Sequence, residues 1–518
     1  MRRIHAVAGF LAVFIVALYW LSPAAPSYAN LSIFSDDPCP NPLNPRSTRE
    51  PPRKPICRSL ETHPDLNGIN ALQVELCLSS KVPNHGWLRI ERTDKAACAA
   101  SEAIIASNDH ETDELLKRKG PDIFHVRMDG EQRLALETDA EYLGQCTYRH
   151  PFRLATAAPF NLTILWAFEN YRAALETEEL STQYDTARPV LADIHVMISS
   201  PTSAQCPPVG AVPTLPQWRS PALASFMNKL PPCSAFTPTQ GFYLRPHHSE
   251  DPAQSFQRYL FQPAGCQWFN PLRFGAPSSE TIKGFRERHV LFLGDSHARY
   301  AYDLLIDVYA AAWDAYLKAL ALKGLEKSEK FGKAVFDFVW EPVLMETRIQ
   351  INCSVAARYD TVVLGAGQHN AIRIPKEKDH PHQYSMLEWE KLMAGLAHRL
   401  SPAACPGQKM PKVIWMGNPA RIVRLEPAAP SEWVDGRSSL RVRHYDELAW
   451  EQFRHLPGAA RVDMFALSQP FVNDFKDMLH MRHTDALAAL IQDVHEKIRP
   501  TESAYQHLSE QHSLQLDQ

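Results

Sequence analysis

The run His289-Val-Leu-Phe-Leu-Gly-Asp-Ser-His-Ala-Arg-Tyr300 places a serine where acyl chemistry could begin. His289 to Leu293 reads as a short buried strand, Gly294-Asp295-Ser296 as a turn, and Ala301, Leu304, Leu305 and Val308 as one face of a helix. A serine between a strand and a helix holds its hydroxyl beside backbone N–H groups that have no intrahelical partner. Such donors can stabilise a developing oxyanion. The hydroxyl is a weak nucleophile until an imidazole takes its proton, and the imidazole needs a carboxylate to hold its tautomer. The chain has 22 histidines, so residue type alone does not name the base. An ordinary helix-capping serine would read the same way. Asp295 is read as a hydrogen-bonding residue of the turn, down to simple capping.

The elements around this serine alternate. Strands are expected at His289–Leu293, Phe336–Trp340, Thr361–Leu364, Val413–Met416 and Arg461–Phe465, with helical stretches between them. That order implies an α/β domain with a largely parallel sheet, whose ligands bind beyond the carboxyl ends of the strands. Ser296, Gly365 and Gly417 each fall just past an expected strand end. Leu487, Leu490, Ile491, Val494 and Ile498 mark a last helix with one apolar face for the sheet. Upstream, about Ser59 to Glu178 reads as β-rich, with His125–Met128 and Gln132–Glu137 flanking an Asp129-Gly130 turn and later strands at Cys146–Leu154 and Phe160–Trp166. Short strands of this kind fit a β-sandwich serving as a binding or spacer module. Gln183 to Pro232 reads as irregular.

The setting is secretory. Met1-Arg2-Arg3 precedes an apolar run from Ala6 to about Leu21, and Ser27-Tyr-Ala29 resembles a cleavage site. The run is about the 20 residues that span a bilayer, so a signal anchor is preferred narrowly over a cleaved signal peptide. Sequons occur at Asn30, Asn161 and Asn352, and ten dispersed cysteines lack any Cys-x-x-Cys pair, which points to disulfides rather than zinc. The formal charge of -4 gives no reason to expect nucleic acid. No metal-ligand pattern is present, and Gly365-x-Gly367 lacks the rest of a dinucleotide fingerprint. The expected organisation is a signal anchor or signal peptide (1–26), a Pro-rich stem (27–58), a β-sandwich domain (59–182), a linker and lead-in (183–275), an α/β catalytic domain (276–500) and a polar tail (501–518).

Leu230-Pro-Pro-Cys233, Gly241-Phe-Tyr243, Cys266, Phe292-Leu-Gly-Asp-Ser-His-Ala-Arg299 and Asp477-Met-Leu-His480 together resemble the PC-esterase branch of the SGNH hydrolase superfamily. That branch includes trichome-birefringence-like polysaccharide O-acetyltransferases, sialic-acid O-acetyltransferases and neurexophilin-and-PC-esterase proteins. The resemblance spans about Leu230 to Pro500. The segment holding Cys146-Thr-Tyr-Arg149 and Glu169-Asn-Tyr-Arg172 is similar to the immunoglobulin-like, filamin-type module preceding the domain in some relatives. The implied fold is an SGNH-like three-layer α/β/α domain behind a β-sandwich. The resemblance makes Ser296 the nucleophile, His480 the general base and Asp477 its orienting acid, with His483 and Asp485 as nearby decoys. Arg299 matches an arginine frequent in the family, where it would pair with a carboxylate or contact a substrate, or be simply a solvated helix charge. For the oxyanion hole, Gly367, His369 and Asn370 are candidates. Gly367-x-x-Asn370 departs from the superfamily's usual Gly-x-Asn, and some PC-esterase relatives carry a histidine here. Gly324 and Gly332 remain open for the intervening glycine.

The implied function is a secretory-pathway O-acyl, above all O-acetyl, transferase or esterase acting on a glycan or polysaccharide, with no bound cofactor. As a transferase it would need an acyl donor, ultimately derived from acetyl-CoA, and an acyl-transporter partner, because the chain offers at most one apolar span. A type II Golgi membrane protein is expected, or a secreted one if the N-terminus is cleaved. The alternatives are a non-catalytic glycan-binding or signalling module retaining the fold, and a lipase-like esterase.

Overall fold

The computed structural model describes residues 55–62, 72–79, 85–106, 118–130, 132–137, 140–154, 158–170, 187–198, 233–234, 241–244, 259–263, 266, 268, 288–322, 335–344, 353–371, 384–421, 438–474 and 484–498. The apolar N-terminal run, the stem, Gly324, Gly332, Asp477, His480, His483 and the tail lie outside these residues. The chain is mixed α/β, with one parallel and two antiparallel sheets.

The N-terminal half supplies β1 (Ile56–Leu60), β2 (Leu72–Leu78), β3 (His85–Arg92), α1 (Lys95–Ala106), β4 (Ile123–Asp129), β5 (Gln132–Ala135), β6 (Glu141–Tyr142), β7 (Thr147–Arg153), β8 (Ala158–Phe168) and β9 (Arg188–Ile198). One antiparallel sheet runs β1-β2-β3-β7-β6. Alternation sets its buried face: in β3 every second residue from Gly86 to Arg92 is buried. The expected hairpin over Asp129-Gly130 is present, closed by the Gly130 N–H on the Gln132 carbonyl at 3.1 Å. Val74, Leu88 and Ile90 of the first sheet and Val126, Phe160 and Ile164 of the second belong to one buried cluster. Two features depart from the sequence reading. α1 interrupts the β-rich stretch, tied to the start of β7 by a Cys98–Cys146 disulfide. β9 lies within the stretch read as irregular and extends the second sheet beside β8.

β10 (Gly241–Leu244) and β11 (Leu260–Pro263) form the lead-in, with Cys233 bonded to Cys266. These strands continue the second antiparallel sheet, ordered β11-β10-β5-β4-β8-β9. Their tyrosines face the other half of the chain. Tyr243 and Tyr259 are buried in the core of the parallel sheet, and the Tyr243 hydroxyl donates to the Leu467 carbonyl at 2.7 Å.

The C-terminal half is β12 (His289–Gly294), α2 (Ser296–Leu322), β13 (Val335–Trp340), α3 (Cys353–Ala356), β14 (Thr361–Gly365), α4 (Met386–Arg399), β15 (Lys412–Met416), α5 (Ser439–Phe453), β16 (Ala460–Val462), α6 (Met464–Ser468) and, after a 3-10 turn at Gln469–Asp474, α7 (Thr484–Ile498). The five strands are all parallel and ordered β13-β12-β14-β15-β16. The nearly continuous apolar sequences of β12, β14 and β15 follow from burial on both faces, whereas β13, at the sheet edge, is exposed or half-buried along its length. Leu291, Val362, Leu364, Val413 and Trp415 pack on α4 and α5, whereas Val290, Phe292, Val363, Ile414 and Met416 pack on α2 and α7. The last expected strand is shorter than its apolar run: Arg461–Phe465 ends at Val462, because Asp463 accepts from the Ala466 N–H at 2.9 Å and caps α6. A capping box at Ser385 and Glu388 starts α4. Cys353–Cys405 joins α3 to the segment after α4, and Cys57–Cys77 clamps β1 to β2. Eight of the ten cysteines are thus paired, as suits an oxidising, secretory-type environment; Cys39 and Cys206 lie outside the described residues. Among the described residues no helix is long and apolar enough to cross a membrane.

Candidate active site

The strand order creates a switch point. From β12 the chain passes to one side to form β13, then to the other for β14, so the carboxyl ends of β12 and β14 are the switch point beyond which such sheets take their ligands. Ser296 stands there as the first residue of α2, largely buried. Gly294 has φ +155°, and a Cβ on it would overlap the Gly365 carbonyl, so the turn needs glycine. The Asp295 N–H donates to the Gly365 carbonyl at 2.9 Å and the Glu341 N–H to the Gly294 carbonyl at 3.0 Å. The turn is therefore held from both neighbouring strands.

Asp295 caps α2. Its Oδ1 accepts from the His297 N–H at 2.9 Å, and its carbonyl accepts from the Arg299 N–H at 3.0 Å. The side chain is 1% exposed, and Oδ2 has no partner among the described residues. Burial pushes the Asp295 carboxyl up, but His297, with Nδ1 3.4 Å from Oδ1, and His369 outweigh it and hold the carboxyl below its ordinary value. Asp295 is thus an ionised group at the head of the helix, as the helix dipole favours.

The three oxyanion candidates after β14 have different surroundings. Gly367 has φ +126°, and a Cβ there would lie 2.5 Å from Nδ2 of Asn418. Asn370 is fully buried, and its Nδ2 donates to the Val343 carbonyl at 3.1 Å, tying the end of β14 to the turn after β13. That bond takes one of the two amide N–H donors and fixes the side chain toward β13. His369 is half-buried and acts electrostatically on Asp295. Arg299 is exposed, and its guanidinium lies over the Trp340 ring at 5.3 Å.

Asn418 and Glu341 were missed by the sequence reading. Asn418 is 2% exposed, and its Nδ2 has no hydrogen-bond partner among the described residues. The signal was Gly417-Asn418 directly after the Val413–Met416 strand, of which only Gly417 was noted. The turn holding Asn418 is rigid on several sides. Gln368 Nε2 donates to the Pro419 carbonyl at 3.0 Å, and the Ala420 N–H donates to Ser468 Oγ at 2.8 Å. Gly417 sits directly on the Asp446 carboxyl. Asp446, fully buried in α5, accepts from Trp415 Nε1 at 2.5 Å and pairs with Arg461 at 2.5 Å.

Buried polar atoms without a partner among the described residues recur at four adjacent strand ends: Glu341 Oε1 after β13, Asp295 Oδ2 after β12, Asn370 Oδ1 after β14 and Asn418 Nδ2 after β15. Buried polar groups of this kind are costly unless matched, and their recurrence along one edge of the sheet singles out the strand ends around Ser296. No family model matches the chain, and no curated protein matches it. Chemically, the arrangement offers a hydroxyl at a helix N-terminus, a buried amide donor beside a glycine, and an ionised carboxylate one residue before the hydroxyl. Among the described residues no cluster of three or more His, Cys, Asp and Glu side chains assembles as a metal site.

The segment 475–483 carries Asp477 and His480, and its flanks can be located. The 3-10 turn follows α6 beyond the carboxyl end of β16. Tyr309, midway along α2, is 2.9 Å from His495 Nδ1 in the later half of α7, and Lys412 at the start of β15 donates to the Lys497 carbonyl at 2.6 Å. α7 therefore runs alongside α2, with its N-terminus at the same edge as Ser296. The decoy Asp485 has a structural task, accepting the Tyr259 N–H at 2.9 Å. α7 buries more than its apolar face: Asp493 and Lys497 form a buried ion pair at 2.5 Å.

Proposed function

We propose that this protein is a secretory-pathway serine O-acyl enzyme, an O-acetyltransferase or acetylesterase acting on carbohydrate, with an SGNH-like catalytic domain behind an immunoglobulin-like β-sandwich. The observation that carries the reading is Ser296 at the head of α2, at the switch point where the buried Asn418 Nδ2 stands against Gly367. Ser296 Oγ attacks the ester carbonyl while His480 takes its proton, with Asp477 orienting the imidazole. The Ser296 N–H, the Gly367 N–H and Asn418 Nδ2 stabilise the oxyanion. Collapse of the tetrahedral intermediate releases the first alcohol, protonated by His480, and leaves an acyl-serine. A sugar hydroxyl or water then takes the acyl group by the same steps reversed. The described flanks support the assignment of base and acid, since the 3-10 turn ending at Asp474 follows β16 and α6, and α7 begins at the same edge of the sheet as Ser296.

The test is acyl release from 4-nitrophenyl acetate and from acetylated oligosaccharides by the full chain secreted from a eukaryotic host. Ser296→Ala and His480→Ala should each lower kcat by about 10^4 or more without changing the thermal transition. Wild-type rates in either variant would overturn the triad. A folded wild-type protein without turnover would favour the non-catalytic module.

A further inference from the structure

Trp340 is the last residue of β13, an edge strand of the parallel sheet, and is paired in register with Gly294 of the serine turn. It is 48% exposed, although it lies one strand away from Ser296. Phe338, two residues earlier and so on the same face, packs into the core on the α2 side. Trp340 therefore rises beside the first turn of α2, where Arg299 holds its guanidinium over the ring at 5.3 Å. The next residue, Glu341, is 4% exposed, and its Oε1 has no partner among the described residues. A half-exposed aromatic ring with a cation over it, followed by a buried carboxyl, thus ends the strand next to the serine turn.

We infer that Trp340, braced by Arg299, is the stacking platform that seats a pyranose ring of the glycan beside Ser296 and so determines which acyl acceptors and donors the site takes. The inference rests on the carbohydrate acyl reading above and specifies its substrate contact. A pyranose presents a C–H face that packs on an aromatic ring, and a rim of hydroxyls that need donors and acceptors. The Trp340 face left uncovered by Arg299 supplies the first, and the exposed Arg299 guanidinium supplies donors for the second. An aliphatic chain would be served poorly here, because a guanidinium borders the ring. The cation over the indole fixes the ring's orientation before the sugar arrives, which lowers the ordering cost of binding.

The experiment compares wild type, Trp340→Ala and Trp340→Phe in the full chain, using chemically O-acetylated xylo- and cello-oligosaccharides and 4-nitrophenyl acetate. The ratio of kcat/KM for oligosaccharide to that for the aryl ester should fall at least tenfold in Trp340→Ala, chiefly through KM, and recover in part in Trp340→Phe. A ratio unchanged within twofold would overturn the platform, whether activity falls equally on both substrates or on neither. A binding measurement separates the platform from the nucleophile. In Ser296→Ala protein, the oligosaccharides should shift tryptophan fluorescence, and adding Trp340→Ala should abolish the shift and weaken binding about tenfold. Binding retained in the double variant, or absent before it, would refute the platform. Failure of the serine reading alone would instead appear as undiminished turnover in Ser296→Ala with the Trp340-dependent fluorescence shift intact.

Discussion

Gly367→Ala is the sharpest perturbation of the proposed oxyanion hole, because it adds one methyl group and removes no polar atom. At φ +126° an alanine is strained, which costs on the order of 1–2 kcal/mol of stability. The new Cβ would lie 2.5 Å from Asn418 Nδ2, so the amide must retreat by about 1 Å to reach ordinary contact. The turn around it resists that movement, being tied through Gln368 to Pro419 and through Ala420 to Ser468. A displacement of about 1 Å in a catalytic group costs on the order of 100-fold in rate. Kinetics on 4-nitrophenyl acetate should show kcat lowered by about that factor, with the thermal transition only a few degrees lower. Asn418→Ala should cost about 10^2–10^3 in kcat, the usual loss for one oxyanion donor. The decisive comparison is the double variant. If Gly367→Ala acts through Asn418, then Gly367→Ala/Asn418→Ala should be no slower than Asn418→Ala by more than about threefold. Fully multiplicative losses, or undiminished kcat in a folded Gly367→Ala protein, would refute the argument.

Two further predictions concern stability. Asp446 neutralises Arg461 and accepts the Trp415 indole N–H inside the core, so Asp446→Ala should cost about 3–5 kcal/mol in urea unfolding, and Asp446→Asn less; a loss below about 1 kcal/mol in Asp446→Ala would show that the network does not hold the Asn418 turn. In the N-terminal half, burial pushes His150 down to about 4, while its bond to the Leu136 carbonyl opposes the shift. His150 therefore withdraws about 3 kcal/mol of stability as pH falls from 6.5 through 4. Burial pushes Asp122 up to about 6, against Arg92, so protonation of this group returns about 3 kcal/mol as pH falls from 6 through 3.8. The two slopes oppose between pH 4 and 6. Asp122→Asn should expose the His150 loss as a steeper acid-side decline in urea midpoint, and parallel profiles in variant and wild type would contradict the assignment.

Much of this protein was legible along the chain because the relevant physics is local. Strands buried on both faces must be apolar throughout, and that pattern marked β12, β14 and β15, while alternation with helical stretches marked the edge strands β13 and β16. The boundary of the fifth was missed, because the Asp463 cap, rather than hydropathy, ends the strand at Val462. Gly294-Asp295-Ser296 marked the turn because a positive φ, a cap and a helix start are properties of consecutive residues.

The remainder depended on which strands lie side by side. Asn418 is the amide against Gly367 because β14 and β15 are neighbours, whereas Asn370, nearer in sequence, is anchored by one amide N–H to the Val343 carbonyl. Trp340 stands beside the serine only through its register with Gly294. The segment 183–275 read as a linker and lead-in to the catalytic domain, but hydrogen bonding joins its strand β10 to β5 while Tyr243 and Tyr259 fill the core of the parallel sheet. Sequence by itself determined the residue types, the periodicity and the sharp turn, since these are settled within a few residues. Tertiary structure decided which distant amide, ring and carboxyl end the strands beside the serine turn, since strand pairing sets neighbours without regard to their separation along the chain.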